Sequence, residues 1–185
     1  MRERGSTTKS LAGQLLLASP GLRDPNFRRT VILLSSHGPD GAMGVVLNRP
    51  LGRQLGELNA DFAMGPLAGV PLYSGGPVET KQLILAAWRW IDADDAFQLH
   101  FALEPAKAAE MIGTPGLKLR AFLGYSGWGK GQLDKEMRLD TWFTAAVDAY
   151  NLDSAEGTGL WRLILGSLDP ELKLLADEPE DPTVN

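Results

Sequence analysis

Two apolar, β-branched runs joined by a short Gly- and Asp-rich bridge constrain this chain more than any other feature. Thr30-Val-Ile-Leu-Leu-Ser35 and Ala42-Met-Gly-Val-Val-Leu-Asn48 flank Ser36-His-Gly-Pro-Asp-Gly41. β-Branched side chains are stiff and favour extended backbone, while Gly, Pro and Asp suit tight reversal, so the pattern predicts a hairpin. Any fold of this chain must place that pair in a sheet.

The remaining segments sort around it. Gln14–Ala18 is an apolar run closed by Ser19-Pro20-Gly21, read as a buried strand and a turn. Asp24-Pro25 reads as the capped start of a brief helix. Leu51, Leu55 and Leu58 share one face at helical spacing and predict a short helix after Asn48-Arg49-Pro50. Residues 65–70 read as loop, Leu72–Ser74 as a strand entering Gly75-Gly76-Pro77, and Gln82–Trp88 as its continuation after a bend. Phe97–Leu103 reads as a strand, Glu104–Ile112 as a helix stopped by Gly113, Lys118–Leu123 as a strand, and Gln132–Arg138 as a helix. Trp142–Val147 reads as a further strand. Gly159–Leu168 is the strongest amphipathic helix, with Leu160, Ile164 and Leu168 four apart. Hairpin-like pairs with interspersed helices, and no regular βαβ alternation, predict an α+β fold. One domain over residues 10–175 is expected, between flexible tails at 1–9 and 176–185, the latter acidic and Pro-rich.

Composition removes several chemistries. The chain has no cysteine, which excludes thiolate catalysis, disulfides and cysteine-held metal. Its two histidines, His37 and His100, are too few for a histidine-rich metal site. No metal and no cofactor are predicted. The net charge of −5 speaks against direct nucleic-acid binding, which draws most of its affinity from phosphate contacts. No apolar run is long enough to span a bilayer. Leu11–Ser19, after Arg2, Arg4 and Lys9, imitates a signal peptide, but Gln14 interrupts it and no cleavage pattern precedes Pro20. A cytoplasmic protein is expected.

Candidate sites follow from small residues and scattered polar groups. Gly124-Tyr-Ser-Gly-Trp-Gly129-Lys130 imitates a phosphate-binding loop between a strand and a helix, but Gly131 stands where a Ser or Thr would hold magnesium. Ser126 lacks the closing glycine of a nucleophile elbow. Gly75 and Gly76 read either as an anion-binding nest or as a strand kink. His37 reads as a turn residue near Ser36 and Asp40. Asn48 and Arg49 offer an amide and a guanidinium to a carboxylate or phosphate, and Arg28 and Arg29 add positive charge in the first quarter of the chain. Tyr125 and Trp128 would supply contact area to a partner.

These residues also carry a resemblance. Gly13–Ser19, Asp24-Pro-Asn-Phe-Arg-Arg-Thr30, His37, Gly41-Ala-Met-Gly44 and Asn48-Arg-Pro50 come first, then Gly75-Gly-Pro-Val78. Gly124-Tyr-Ser-Gly-Trp128, Gly131-Gln-Leu133, Glu136 and Trp142 complete the order. The set resembles the AlgH/YqgE family of bacterial proteins from about Leu11 to about Leu168. The resemblance implies a small closed β-barrel or split, mostly antiparallel sheet surrounded by helices. It implies no catalytic or metal residue, and the family's label of transcriptional regulator comes from a regulatory association. The matched residues His37, Asn48, Arg49, Gly75, Gly76, Tyr125, Trp128 and Gln132 are the candidate ligand- or partner-binding set. Three functions are expected in this order: a non-enzymatic regulator or adaptor acting through a protein partner or small ligand; an enzyme or binding protein for an anionic, phosphorylated or carboxylated small molecule; a direct DNA binder.

Overall fold

The structure is a computed structural model and describes residues 9–147 and 152–178. The hairpin forms as β2 (Val31–Gly38) and β3 (Gly41–Val46), antiparallel, with Pro39 and Asp40 at the turn. Its register shifts between Leu34 and Ser36, a bulge that turns His37 against Ala42. β1 (Leu15–Ala18) lies on the other edge of β2 and pairs on its far side with β9 (Trp142–Ala145). Alternation explains why β1 and the first half of β2, Val31 to Leu34, are apolar throughout. Leu15, Leu17, Val31 and Leu33 enter one buried cluster, and Leu16, Ala18, Ile32 and Leu34 enter another on the opposite face.

The second half of the sheet is built on β8 (Lys118–Trp128), which pairs with β6 (Val78–Ile91), β5 (Pro71–Ser74) and β3. β5 is parallel to β8 and β6 antiparallel to it, and Ala121, Phe122 and Leu123 pair with both. β5 and β6 therefore occupy opposite edges of β8, and β6 is not the continuation of β5 that the sequence suggested. β4 (Pro50–Gln54) pairs with β5, and β7 (Ala96–His100) pairs with β6. The resulting nine-stranded mixed sheet curls into a half-barrel with helices about it, an α+β fold.

Helices α1 (Leu55–Leu58), α2 (Ala60–Ala63) and α3 (Pro105–Met111) belong to the β8 half. There Leu55, Leu72, Leu85 and Ala108 share a third cluster. Helix α4 (Gln132–Arg138) covers one face of β1–β3–β9 through Leu133, and α5 (Thr158–Leu168) covers the other through Leu160, Trp161, Ile164 and Leu165. The Trp161 indole N–H donates to the Ala18 carbonyl at 2.8 Å, fixing α5 to the end of β1. Helix α6 (Pro170–Asp177) opens on Asp169, whose carboxylate accepts from the Glu171 N–H at 2.7 Å. Among the described residues no helix is long and apolar enough to cross a membrane.

Three local expectations are corrected. The helix predicted from Asp24-Pro25 is a run of turns. Asp24 accepts from the Asn26 N–H at 2.7 Å, and Arg29 takes a positive φ of 55°, which reverses the chain into β2. The helix predicted over Leu51–Leu58 begins only at Leu55. Pairing of Pro50, Arg53 and Gln54 with β5 holds residues 50–54 in a strand, interrupted by an irregularity at which Gly52 takes φ 65° and Leu51 is exposed. The glycine-rich segment after Leu123 is no loop, because β8 runs through it to Trp128. Of the expected tails, residues 1–8 and 179–185 lie outside the described residues. Ala176 and Asp177 end α6, with Ala176 buried.

Candidate functional site

The two glycine-rich segments meet, but they interlock rather than enclose a groove. Gly75 donates its N–H to the Leu123 carbonyl at 2.8 Å, and its own carbonyl accepts from Val46 N–H at 2.9 Å and Ser126 Oγ at 3.2 Å. A Cβ on Gly75 would collide with the Gly124 carbonyl, and one on Gly76 with the Tyr125 carbonyl. Backbone approaching backbone is the requirement here, and the Gly75 N–H is spent in the sheet rather than offered to an anion. Ser126 is fully buried, its hydroxyl turned to Gly75. Neither the phosphate loop nor the nucleophile elbow that Gly124–Gly131 imitates is formed.

Asn48 and Arg49 are adjacent in sequence and tie together different turns. The Asn48 side-chain carbonyl accepts from Val31 N–H at 2.9 Å, and its amide donates to the carbonyls of Arg29 and Gly157, each at 2.9 Å. Both of those residues have positive φ, strained at Arg29 and free of strain at the glycine, so one buried amide clamps two sharp turns. The Arg49 guanidinium donates to the carbonyls of Asn26 at 2.6 Å and Pro25 at 3.1 Å, holding the turn that replaces the predicted helix. Burial and then the nearby Arg28 charge lower the Arg49 pKa, which Asp24 partly offsets.

His37, Trp128 and Gln132 converge on α4. His37 Nδ1 accepts from the Leu11 N–H at 3.0 Å, which leaves Nε2 as the ring donor toward Asp134, 3.4 Å away. Its partners are thus on β1's approach and α4, not Ser36 or Asp40. Trp128 and Trp142 both donate their indole N–H to Glu136 Oε2, at 2.9 and 2.8 Å, while Gln132 donates to Oε1 at 2.9 Å. Phe27 packs on both indoles. Trp128 is buried, so the contact surface expected of it is spent internally. Tyr125 is half-buried against the main core. Glu136, which organises the cluster, escaped the candidate set, although its place four residues after Gln132 on a helix face was the available clue.

A cleft of about 420 Å³ lies elsewhere, between the segment 19–29, β9 and α6. Arg23, Arg28 and Arg29 line it from the first segment, and Phe143, Leu172 and Leu175 from the others. Two acidic residues, Asp140 and Glu178, also line it. The Arg29 guanidinium donates to the Glu178 carbonyl at 2.8 Å and sits 5.4 Å from the Trp161 ring. Arg28 and Arg29 were legible as positive charge. The apolar wall was not, because β9 and α6 bring it there from the other end of the chain. The cleft's volume falls within the range of small-molecule sites, while its lining is richer in charge. Among the described residues no group of three His, Asp or Glu could hold a metal ion. Helix α4 alternates Asp134, Lys135, Glu136 and Arg138, a poor match to a basic recognition helix.

A family model described as AlgH-like matches residues 15–173. A UPF0301 protein of Streptomyces coelicolor is 34% identical, the match covering 95% of this chain and 96% of the relative. One from Chlorobium luteolum is also 34% identical, covering 94% of each. The solution structure of the AlgH protein from Pseudomonas aeruginosa superposes with a TM-score of 0.66 at 28% identity, over 98% of this chain and all of that one. A crystal structure of a Corynebacterium diphtheriae protein gives 0.69 at 22% identity, over 96% and 95%, a likeness of fold.

Proposed function

This chain belongs to the AlgH-like family, and on that premise we propose that it works by binding. It is a non-enzymatic regulatory or adaptor protein of the cytoplasm whose cleft between segment 19–29 and α6 receives an anionic small molecule. One observation carries the reading: three arginines line a single ligand-sized cleft in a chain of net charge −5. Guanidinium is suited to carboxylate and phosphate because its planar fork can donate two parallel hydrogen bonds. The residues first singled out contribute indirectly. Arg49 and Asn48 hold the turn that carries Arg28 and Arg29, and Trp128 and Glu136 seat Phe27 in the same turn.

The test is a thermal-shift series with phosphate, nucleotides, carboxylates and duplex DNA. A ligand at about a hundred times its dissociation constant adds roughly 2.7 kcal/mol, or about five to ten degrees for a domain of this size. The expected result is a shift with small anions that Arg23→Gln together with Arg28→Gln abolishes. A flat response to every small anion overturns the reading and turns the search to a protein partner. A shift with DNA alone favours the nucleic-acid reading.

A further inference from the structure

We infer that the ligand of the arginine cleft is an amphiphile with one anionic head and an apolar tail, an inference that rests on the anion-binding reading above. The cleft is two-sided. Its cationic wall comes from one short stretch, Arg23, Arg28 and Arg29, while Phe143, Leu172 and Leu175 form an apolar wall from β9 and α6. Leu175 is 46% exposed, and its neighbour Leu174 is 73% exposed. Leucines left in water beside a cleft gain from any apolar group that covers them.

Charge sets the rest of the ligand. Asp140 and Glu178 also line the cleft, so a second anionic group placed near them would be repelled. Polyanions and multiply charged metabolites fit poorly, and a single carboxylate or phosphate with an uncharged chain fits well. A bare phosphate ion would fill little of about 420 Å³ and would leave the apolar wall wet. Arg28 and Arg29 already engage neighbouring groups, so the head exchanges partners there and adds Arg23. An alkyl or acyl phosphate or carboxylate therefore satisfies both walls at once.

Calorimetric titration with inorganic phosphate, butyl phosphate and octyl phosphate, the last below its micellar concentration, tests this. Each methylene that becomes buried tightens binding about fourfold. The expected result is octyl phosphate at least tenfold tighter than butyl phosphate, and butyl tighter than phosphate. Leu175→Asn, at a half-exposed position and checked for an unchanged melting point, should remove most of the dependence on chain length, and Arg23→Gln should weaken all three ligands. Equal affinity across the series overturns the amphiphile while leaving anion binding intact. A chain-length dependence unchanged by Leu175→Asn also overturns it, since the tail then binds elsewhere. Failure of all three ligands to bind overturns the anion-binding reading itself.

Discussion

Replacing Asn48 with alanine separates a structural clamp from a ligand contact. The side chain is 5% exposed and makes three hydrogen bonds, all to backbone, at 2.9 Å. Truncation leaves the Val31 N–H unpaired in the interior, at about 1–3 kcal/mol, and removes donors from the Arg29 and Gly157 carbonyls, at about 0.5–1.5 kcal/mol each. Water entering the vacated space recovers part of this, so the expected loss is about 3 kcal/mol. That corresponds to a melting point lower by roughly six to twelve degrees. Asn48→Asp keeps an acceptor for Val31 but turns a second oxygen toward two carbonyls, and should cost at least as much. Urea titrations should show a lower midpoint at unchanged slope. A loss under about 1 kcal/mol, with anion binding abolished, would refute the clamp and make Asn48 a ligand-binding residue.

Gly75→Ala drives a Cβ into the Gly124 carbonyl, with the Phe122 Cβ also close, so the variant should lose several kcal/mol, read as loss of soluble, cooperatively melting protein. Glu136→Leu strands two indole N–H groups, and a loss of about 2–4 kcal/mol by urea titration, with altered tryptophan emission, is expected. Arg120 donates to the Leu47 carbonyl at 3.1 Å and sits 4.6 Å from the Tyr73 ring and 5.2 Å from that of Trp88. Lysine should not replace it, and Arg120→Lys should cost about 1–2 kcal/mol by calorimetry.

The sequence was legible where one short window holds the cause. The β2–β3 pair, α3 and α5 each declare themselves through turn residues, an early proline or a four-residue apolar repeat. Prediction failed where a distant strand decides. Leu51, Leu55 and Leu58 have helical spacing, yet β5 captures residues 50–54. Gly124, at φ 72°, looks like a loop residue and is a kink within a strand flanked by β5 and β6. Several of the candidate residues, Gly75, Gly76, Asn48 and Trp128 among them, are engaged in close backbone packing and internal hydrogen bonds. The arginine cleft was half visible, since two of its arginines share one stretch. Its apolar wall arrives more than a hundred residues later in the chain.

The dependence of β3 on β8 also has a consequence during synthesis. The β2–β3 hairpin is complete by Val46, but the strand that pairs with Ala42–Gly44 ends only at Trp128, and the second neighbour of β1 arrives with β9. At roughly 5–20 residues per second, several seconds separate the emergence of those edges from that of their partners. Throughout that interval the nascent chain carries its most apolar strands with open ladders, the state most prone to pair with another chain. A slow stretch of translation should therefore be better tolerated after Trp161 has docked on Ala18 than between β3 and β8.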